Sequence, residues 1–569
     1  MKLVECVPNF SEGRNRDVID AIVGAMAGVK GVRVLDVDPG AATNRTVVTL
    51  VGDPDAIVEG AFQGIKKASE VIDMRLHRGE HARQGATDVC PFVPVAGVTM
   101  DDCVELAKKL GKRVGEELKI PVYLYEAAAA TPERKNLANI RKGEYEALPK
   151  KLNDPKWAPD FGPAEFNARA GATVIGARPF LIAYNINLNT KNKLKANGIA
   201  FSLREQGRIA KDEDGNTLKD EKGEAIREPG LFKECKAVGW FIDEYRRAQI
   251  SINLTNYHVT PPHDVFDAAC RLAEEKGLRV TGSEVVGMVP LEPILQAGRH
   301  YLKRQTSSSG VSEEELIQTA VQSMGLDEVA PFDPKEKIIE YKIGLKEGKL
   351  VAMGVREFTN ELASDSPAPG GGSVAALVGA LSAGLAAMVA NLTFNKKGFR
   401  AHNDEMNDVA ETGQKLKDAF LSDIDRDTDA FNDILDAVRL PSKSPEEIEA
   451  REAAIQSATR GAIDVPLGVL KRTKEILPLV EFVALNGNPN AASDAGVAAA
   501  SARTAAWGAY LNVMINMEGV TDSVYVERTR DEARKVLDSV QKESDRLLNL
   551  IHEKILAGKS GQGGNGDDD

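Results

Sequence analysis

The chain has 569 residues, 43% of them hydrophobic and 28% charged, and its formal net charge is −13. This length predicts about three to four domains with ordinary cores, and the acidic balance argues against non-specific binding to nucleic acid or to an anionic membrane. Five scattered cysteines without a C-x-x-C pair exclude a typical disulfide framework or cysteine zinc site, so we expect a reducing, cytoplasmic location.

The first part of the chain alternates strand and helix patterns, and its opening MKLVECVPNF lacks the apolar core of a signal peptide. LVECVPNF, VRVLDVD, RTVVTLVG and ATDVCPFVPV are typical of strands, and they enclose two amphipathic helices. The resulting order β-α-β-β-α-β is that of the ferredoxin-like unit. The same order returns after residue 178, so we predict an α+β part made of two ferredoxin-like subdomains, 1–178 and 179–337.

Strand patterns nearly vanish after a predicted linker at 338–354. The following segments carry the 3.6-residue period of helices, which predicts an all-α domain at 355–558. Its apolar run AALVGALSAGLAAMVA, 375–390, is short and rich in small residues, so we expect a close-packed helix rather than a membrane span. The Gly-rich acidic tail 559–569 is predicted to be disordered.

The segment RLHRGEHARQGATDVCPF, 75–92, places His77 and His81 four residues apart around Glu80. HRGEH matches the H-x-x-E-H zinc pattern. That chemistry needs a continuous helix, so that both histidines share one face. Here the preceding helix is expected to end before His77, and Gly79 interrupts the segment. We therefore predict no metal site, with a metal-dependent hydrolase as the alternative.

The same segment is cationic, because Arg75, Arg78 and Arg83 flank the two histidines. Arginines bind carboxylates in bidentate fashion, and histidine supplies acid–base chemistry near neutral pH. The segment therefore favours an anionic substrate. A solvated basic loop with a capping histidine fits the composition equally well.

Longer motifs add a resemblance to known families. LVECVPNFSEGRN, DVDPGAATNRTVVTLVG, RGEHARQGATDVCPFVPV and WAPDFGPAEFNARAGATVIGARPFLIAYNINL resemble formiminotransferase domains. The region 355–555, with SPAPGGGSVAA and DIDRDTDAF, resembles cyclodeaminase domains. The resemblance spans nearly the whole chain and implies two folate-dependent activities in succession.

The first implied activity transfers the formimidoyl group of N-formimidoyl-L-glutamate to N5 of tetrahydrofolate. The resemblance assigns the general acid–base role to His81, in the G-E-H element, and leaves His77 as runner-up or as an orienting residue. The leaving glutamate amine must be protonated, which a neighbouring imidazolium can do. The dicarboxylate substrate also accounts for the basic loop.

The family's folate-binding stretch falls on ten consecutive residues: Gly162, Pro163, Ala164, Glu165, Phe166, Asn167, Ala168, Arg169, Ala170 and Gly171. Glycines permit close backbone approach to a flat ligand, and Phe166 suits stacking on a pterin. A connecting loop with a core phenylalanine is the alternative. Asp38, Asn44 and Arg45 lie in the turn region between two predicted strands and are expected to reach the same crevice, unless they serve the turn alone.

The second implied activity cyclodeaminates 5-formimidoyltetrahydrofolate to 5,10-methenyltetrahydrofolate and ammonia. The family's aspartate corresponds to Asp427, which Asp423, Asp425 and Asp429 surround. Without the family these carboxylates are typical of a solvated helix face. SPAPGGGSVAA suits an anion at a helix start or close helix packing, and the loop with Asn486, Asn488, Asn490 and Asp494 is a weaker candidate for the same site.

Tetrahydrofolate, in polyglutamylated form, is thus expected as co-substrate, and no metal is. The resemblance also implies a homo-oligomer, an octamer in the family, while neither nucleic acid nor a membrane is expected as a partner. Two further alternatives stay open. The helical domain of such a chain is also compatible with methenyltetrahydrofolate cyclohydrolase activity, and a non-catalytic folate-binding or scaffold protein would bind folate without turnover.

Overall fold

The computed structural model describes residues 2–41, 43–79, 82–243, 245–344 and 348–560, with side chains up to 557. The chain forms two compact units, each described here by itself. The first comprises Met1–Pro293 and Met324–Ile343, and the second comprises Ile294–Ser323 and Gly344–Asp569.

The first unit contains a seven-stranded sheet. Its strands are β1 (Leu3–Cys6), β2 (Asn9–Phe10), β3 (Val32–Gly40), β4 (Arg45–Gly52), β5 (Thr87–Ala96), β6 (Val122–Glu126) and β7 (Thr173–Ala177). β3 pairs with β4, β4 pairs with both β1 and β2, and these two pair with β5, all antiparallel. This is the strand order of the predicted ferredoxin-like unit, which β7 and β6 extend in parallel beyond β5.

Helices cover the face of this sheet that carries Phe10 and Leu50. They are α1 (Arg16–Ala27), α2 (Pro54–Val71) and α3 (Met100–Glu117), and two short helices, α4 (Leu137–Arg141) and α5 (Glu144–Lys151), follow β6. Asp53 caps α2 with hydrogen bonds of 3.0 Å from the backbone N–H groups of Asp55 and Ala56. The apolar faces of α1, α2 and α3 fill the core.

A four-stranded antiparallel sheet, in the order β11-β12-β8-β13, repeats the ferredoxin-like arrangement. The strands from here on are β8 (Ile182–Leu188), β9 (Arg208–Ile209), β10 (Arg227–Glu228), β11 (Cys235–Ile242), β12 (Arg247–Leu254) and β13 (Val280–Val286). The helices of this unit are α6 (Lys193–Leu203), α7 (Pro262–Glu275), α10 (Pro334–Lys337) and α11 (Ile339–Lys342), whereas α8 (Leu291–Arg304) and α9 (Glu313–Met324) lie almost entirely in the second unit. The β9–β10 hairpin is an exposed insertion that the sequence patterns did not predict.

The second unit is built around long helices. They are α12 (Val355–Leu362), α13 (Gly371–Thr393), α14 (Asn403–Val438), α15 (Pro445–Asn486), α16 (Ala492–Asn516) and α17 (Ser523–Ser560). α13 packs against α14, α15 and α16. α15 continues through both Pro466 and Pro478, because the buried residues on either side pack in the same core.

Small residues dominate the centre of this unit. The buried positions of α13 and α16 are mostly alanine, with glycine and serine in α13. A methyl group on Gly379 would lie 2.7 Å from the ring of Phe420, so this ring packs directly against the backbone of α13. By length and mean hydropathy α13 is apolar enough to cross a membrane, but 61% of its most apolar window is buried inside the protein, as in a core helix.

All five cysteines are free thiols. Cys6 and Cys90 lie on neighbouring strands with their sulfurs 3.5 Å apart, and both are buried. The prediction that no disulfide framework supports the fold is confirmed.

Candidate active sites

The HRGEH segment follows α2, which ends at Val71, so His77 lies in a loop as predicted. The ring is buried, with Nε2 2.8 Å from the backbone oxygen of Asn44 and Nδ1 3.3 Å from Nε of Arg83. Both contacts are satisfied by the neutral ring that carries its proton on Nε2. Burial lowers the pKa of His77, and Arg83 adds to the effect. These properties suit an orienting residue better than a proton donor.

His81, the predicted acid–base residue of the transferase, lies outside the described residues, as does Glu80. The loop that leads to them is held by backbone contact. A methyl group on Gly79 would lie 2.2 Å from the backbone oxygen of Thr43. Asn44, at φ 50°, accepts a 3.0 Å hydrogen bond from the N–H of Gly13 and donates one of 2.9 Å to the oxygen of Arg78.

The three arginines of this segment have different surroundings. Arg83 is buried and donates to Glu144 and Glu146 at 2.8–2.9 Å, and Arg75 pairs with Asp73. Carboxylates of the chain itself therefore already engage the guanidinium groups of Arg75 and Arg83, and the expected binding of substrate carboxylates by these two residues stays a prediction. Arg78 is exposed and donates to the backbone oxygen of His77 at 2.6 Å.

A buried charge cluster lies where β4 and β5 begin. Asp88 is fully buried and accepts hydrogen bonds from Arg45 (2.7 Å), from Arg141 and from the N–H of Gln84 (2.9 Å). Arg45 also donates to Oδ1 of Asn9 at 2.9 Å. Burial lowers the pKa of Arg45, and the Asp88 carboxylate opposes that shift. The cluster holds Arg45 at the end of the sheet where β4 and β5 begin.

The predicted folate stretch, 162–171, is a surface loop between two close backbone contacts. Gly162 (φ 82°) and Gly171 (φ 71°) lie where an added methyl group would meet the backbone oxygens of Ile120 at 2.5 Å and Gln84 at 2.2 Å, so both positions require glycine. Phe166 is half-buried, and its ring centroid lies 5.3 Å from that of Tyr145. The other residues of the loop range from exposed to buried: Pro163, Ala164, Glu165, Asn167, Ala168, Arg169 and Ala170.

Two side chains in this loop serve the loop itself. Oδ1 of Asn167 accepts from the N–H of Ala170 at 2.9 Å. Arg169 donates to the backbone oxygens of Ser69 and Glu70, in the last turn of α2. Both side chains are therefore engaged in hydrogen bonds within the protein. A ligand in this loop would contact Phe166 and the loop backbone.

The expectation that Asp38 lies in the turn between two strands is wrong. It lies within β3, paired with Val47, and not in the turn, because the hairpin closes later, at Gly40 and Arg45. Its side chain is exposed. Asn44 does lie in the turn, and Arg45 begins β4.

Direct contacts join most of these segments at one edge of the seven-stranded sheet. His77 contacts Asn44, the N–H of Tyr145 donates to the oxygen of Arg83 at 2.9 Å, and the Tyr145 hydroxyl donates to the oxygen of Ala168 at 2.5 Å. The structure thus brings together the Asn44–Arg45 turn, the His77–Arg83 loop and the folate stretch. The edge so formed is the candidate transferase site.

The second candidate site lies at the N-terminal end of α13. Oδ2 of Asp427, in the middle of α14, accepts a 3.0 Å hydrogen bond from the hydroxyl of Ser373, whose backbone N–H also donates to this carboxylate. A methyl group on Gly372 would lie 2.1 Å from Oδ1 of Asp427. The helix start and the carboxylate are electrostatically complementary. Two motifs that the sequence singled out, GGGS and the aspartate run, therefore meet.

The pKa of Asp427 is raised, and burial is the largest cause, while the two hydrogen bonds from Ser373 act in the opposite direction. The neighbouring carboxylates are not among the causes of this shift. Asp423 is buried and paired with Arg426 at 2.7 Å and with Arg472. These two arginines compensate the charge of Asp423, so it does not account for the raised pKa of Asp427.

The remaining members of the run are separate from the site. Asp425 accepts hydrogen bonds from the N–H groups of Leu350 (2.8 Å) and Val351 (3.1 Å), and Asp429 is exposed. The run is thus neither a uniformly solvated face nor a carboxylate cluster.

The amide-rich loop predicted as a weaker part of this site lies elsewhere. Asn486 ends α15, Asn490 lies in a 3-10 turn and Asp494 in the first turn of α16. The N–H of Asn488 donates to Oγ1 of Thr393 at 2.9 Å. Thr393 is the last residue of α13, roughly 30 Å from Ser373 at 1.5 Å per residue, so this loop does not contribute to the Asp427 site of the same chain.

Sequence reasoning missed Asp88, Arg141 and Arg472. Asp88 carried a usable signal, because it is a charged residue inside an otherwise apolar strand, ATDVCPFVPV. Arg141 and Arg472 stand in runs of charged helical residues, NIRKGEYE and LKRTKE, where nothing distinguishes a buried arginine from a solvated one.

Comparison with known proteins agrees with this division. Residues 3–178 match the family described as formiminotransferase domain, N-terminal subdomain, residues 183–344 match the formiminotransferase domain, and residues 354–535 match formiminotransferase-cyclodeaminase. A formimidoyltransferase-cyclodeaminase of Rattus norvegicus is 44% identical, over 97% of this chain and 99% of its own.

Relatives of either part also occur as separate proteins. A glutamate formimidoyltransferase of Streptococcus pyogenes serotype M1 is 42% identical, over 53% of this chain and 94% of its own. A methenyltetrahydrofolate cyclohydrolase of Methylorubrum extorquens is 36% identical, over 35% of this chain and 97% of its own. Fold and matches together define a two-part enzyme, a transferase followed by a cyclodeaminase. The chain belongs to the formimidoyltransferase-cyclodeaminase family.

Proposed function

We propose that the chain catalyses two consecutive reactions of folate chemistry in histidine degradation. The first transfers the formimidoyl group of N-formimidoyl-L-glutamate to N5 of tetrahydrofolate and releases L-glutamate. The second converts 5-formimidoyltetrahydrofolate to 5,10-methenyltetrahydrofolate and ammonia. The observation that carries the proposal is the half-buried Asp427 carboxyl against Gly372 and Ser373, in a chain that matches a bifunctional relative from end to end.

In the transfer, N5 attacks the amidine carbon and forms the new C–N bond. The bond between that carbon and the glutamate nitrogen then breaks, and the proton lost by N5 must reach the departing amine. We assign this proton transfer to His81. His77 supports it by holding Asn44 and Arg83 in place, since its neutral ring bridges the two.

In the cyclodeamination, N10 attacks the formimidoyl carbon, so that a ring closes between N5 and N10. The formimidoyl group enters this step protonated, as an amidinium, and the proton of N10 must move to its former imino nitrogen. That nitrogen then leaves as ammonia, and the methenyl product keeps the positive charge. A carboxyl can take up the first proton and return it to the leaving group. A raised pKa favours this double role near neutral pH, since such a carboxyl is neither too weak a base nor too weak an acid.

The co-substrate is tetrahydrofolate, and we propose that the enzyme uses its polyglutamylated form. We also propose a cytoplasmic location and a homo-oligomer, specifically an octamer. The proposed domain boundaries lie at residues 178, 337 and 354. No metal enters either reaction as proposed. The histidine-loop hydrolase alternative has less support, because α2 ends at Val71 and His77 lies in a loop, whereas that zinc pattern needs a continuous helix.

A coupled assay tests the whole proposal. Purified enzyme receives N-formimidoyl-L-glutamate and tetrahydrofolate, and glutamate, ammonia and the methenyl product are followed together. We expect all three in equal amounts. Transfer without ammonia release, together with hydrolysis of supplied methenyltetrahydrofolate, would instead identify a cyclohydrolase, the activity of the Methylorubrum relative's name.

A further inference from the structure

Ser373 is a fully buried serine in the first turn of α13, and its single hydroxyl group contacts two oxygen atoms. Its Oγ lies 3.0 Å from Oδ2 of Asp427 and 3.1 Å from the backbone oxygen of Ile424. A hydroxyl group has one proton to donate and two lone pairs that accept. It can therefore donate to either oxygen, or donate to Ile424 while it accepts from a protonated Asp427.

This arrangement keeps the two side chains bonded in every protonation state of the carboxyl group. The ionised carboxylate accepts from Ser373, and so does a carboxylic acid that carries its proton on Oδ1. An acid that carries its proton on Oδ2 donates to Oγ, and the hydroxyl group then turns to the oxygen of Ile424. A donor without lone pairs, such as a backbone N–H, would lose the bond in this last state.

The start of α13 supplies a second bond from the same residue. The first intrahelical hydrogen bond of α13 runs from the N–H of Val374 to the oxygen of Gly370 at 3.1 Å. The N–H of Ser373 therefore has no partner inside the helix, and it donates to the carboxyl group of Asp427. Hydroxyl and N–H together hold one side chain of α14 against the first turn of α13.

The ionisable groups on the neighbouring elements have partners other than Asp427. α13 has none of its own, since 371–393 contains no ionisable side chain. On α14, Asp423 is paired with two arginines, one of them on α15, and backbone N–H groups hold Asp425. α16 approaches the first turn of α13 with the uncharged Asn512. The protonation of Asp427 thus depends on its burial and on the serine.

We propose that Ser373 is a positioning residue of the cyclodeamination, which holds Asp427 in one place while the carboxyl group takes up a proton and returns it. The proposal rests on the proposed cyclodeaminase function and adds a residue to it. Both proton transfers need the carboxyl group within hydrogen-bond reach of a substrate nitrogen. A displacement of about 1 Å in such a site costs on the order of a hundredfold, so a carboxyl group that moved on protonation would return its proton slowly.

Ser373→Ala removes the hydroxyl group and keeps the backbone N–H. With supplied 5-formimidoyltetrahydrofolate we expect kcat to fall by roughly tenfold or more at unchanged KM, because the loss concerns the chemical step alone. The acidic limb of the kcat–pH profile should move to higher pH by about one unit, since the carboxylate that must accept the N10 proton loses a donor.

The matched control is Ser382→Ala. Ser382 is equally buried in α13, but its hydroxyl group donates to the backbone oxygen of Ala498 at 2.7 Å and contacts no carboxyl group. This variant should change neither kcat nor the pH profile. The same changes in both variants would overturn the proposal, as would an unchanged kcat in Ser373→Ala or a lower kcat with an unmoved acidic limb, which is the result for a residue that only packs.

Folding of the helical unit is checked by circular dichroism and thermal unfolding of the full-length chain. If Ser373→Ala does not fold, Ser373→Cys decides, because a thiol has a similar shape but donates only weakly. The proposal then requires a lower kcat and an acidic limb moved to higher pH, and a wild-type value of either would overturn it. Absence of ammonia release by the wild type itself would instead refute the underlying function.

Discussion

The hydroxyl of Ser373 donates a 3.0 Å hydrogen bond to Asp427, which lies 54 positions further along the chain. Asp427 thereby occupies the place of a capping residue for α13, although it belongs to α14. A purely structural cap and a proton carrier have the same geometry here. The two roles can be distinguished by a substitution that removes the acidity of the carboxyl group but keeps its shape.

Asp427→Asn should lower cyclodeaminase activity by about a hundredfold or more, because an amide can still accept from Ser373 but cannot carry a proton. Formimidoyl transfer should continue, so 5-formimidoyltetrahydrofolate should accumulate in the coupled assay. Asp429→Asn is the matched control, since Asp429 is exposed on the same helix. Similar ammonia release by both variants would place the catalytic group elsewhere.

Gly372→Ala should impair cyclodeamination without changing any ionisable group. The added methyl group would lie 2.1 Å from Oδ1 of Asp427, so the carboxylate or the helix start must move. A displacement near 1 Å at a catalytic group costs on the order of a hundredfold. In the same helix Gly384 has open space at its Cβ position, and Gly384→Ala should retain full activity. Steady-state ammonia release compares the two.

Asp427→Asn should also stabilise the helical unit at neutral pH. The folded-state pKa of Asp427 lies above its unfolded value, because burial outweighs the bonds from Ser373. Such a carboxyl does not change the free energy of unfolding at pH values below its unfolded-state pKa, where it is protonated in both states. It destabilises the folded state increasingly as the pH rises from the unfolded-state pKa to the folded-state pKa. Thermal unfolding should therefore show a higher Tm for the variant at pH 7, with the gain fading on acidification. A pH-independent difference would contradict the raised pKa.

His77→Ala should reduce transfer far less than His81→Ala, for which general acid–base loss predicts about a hundredfold or more. His77 is held neutral, since its pKa is lowered by burial and by Arg83, so its removal should leave the shape of the pH–rate profile unchanged. Cyclodeamination of supplied intermediate should be normal in both variants. The reverse ranking would move the acid–base role to His77.

Much of this architecture is local enough to be predicted from sequence. The period-two strands, the Asp53 cap and the two βαββαβ repeats all follow from nearest-neighbour patterns. Patterns failed where distant packing decides. β7 is a five-residue apolar stretch that becomes a strand only between β5 and β6, and α15 passes through two prolines because its flanks are buried.

The sites divide in the same way. The family resemblance singled out the GGGS segment and the aspartate run, but only the folded chain shows that they meet, and that Asp423 is compensated by Arg472 from another helix. The raised pKa of Asp427 likewise arises from burial, which no local pattern records. Arg141 has no sequence signal because its partner, Asp88, is 53 positions away.

The small side chains of α13 and α16 reverse the usual mutational sensitivity of a protein interior. Alanine and glycine have little left to remove, so truncation creates almost no cavity, whereas one added methylene has no room where Gly379 meets Phe420 or where Gly413 meets Ala387. Overpacking typically costs about 1–3 kcal/mol per site. A saturation screen should therefore find, at the buried small-residue positions of these two helices, intolerance that grows with side-chain volume.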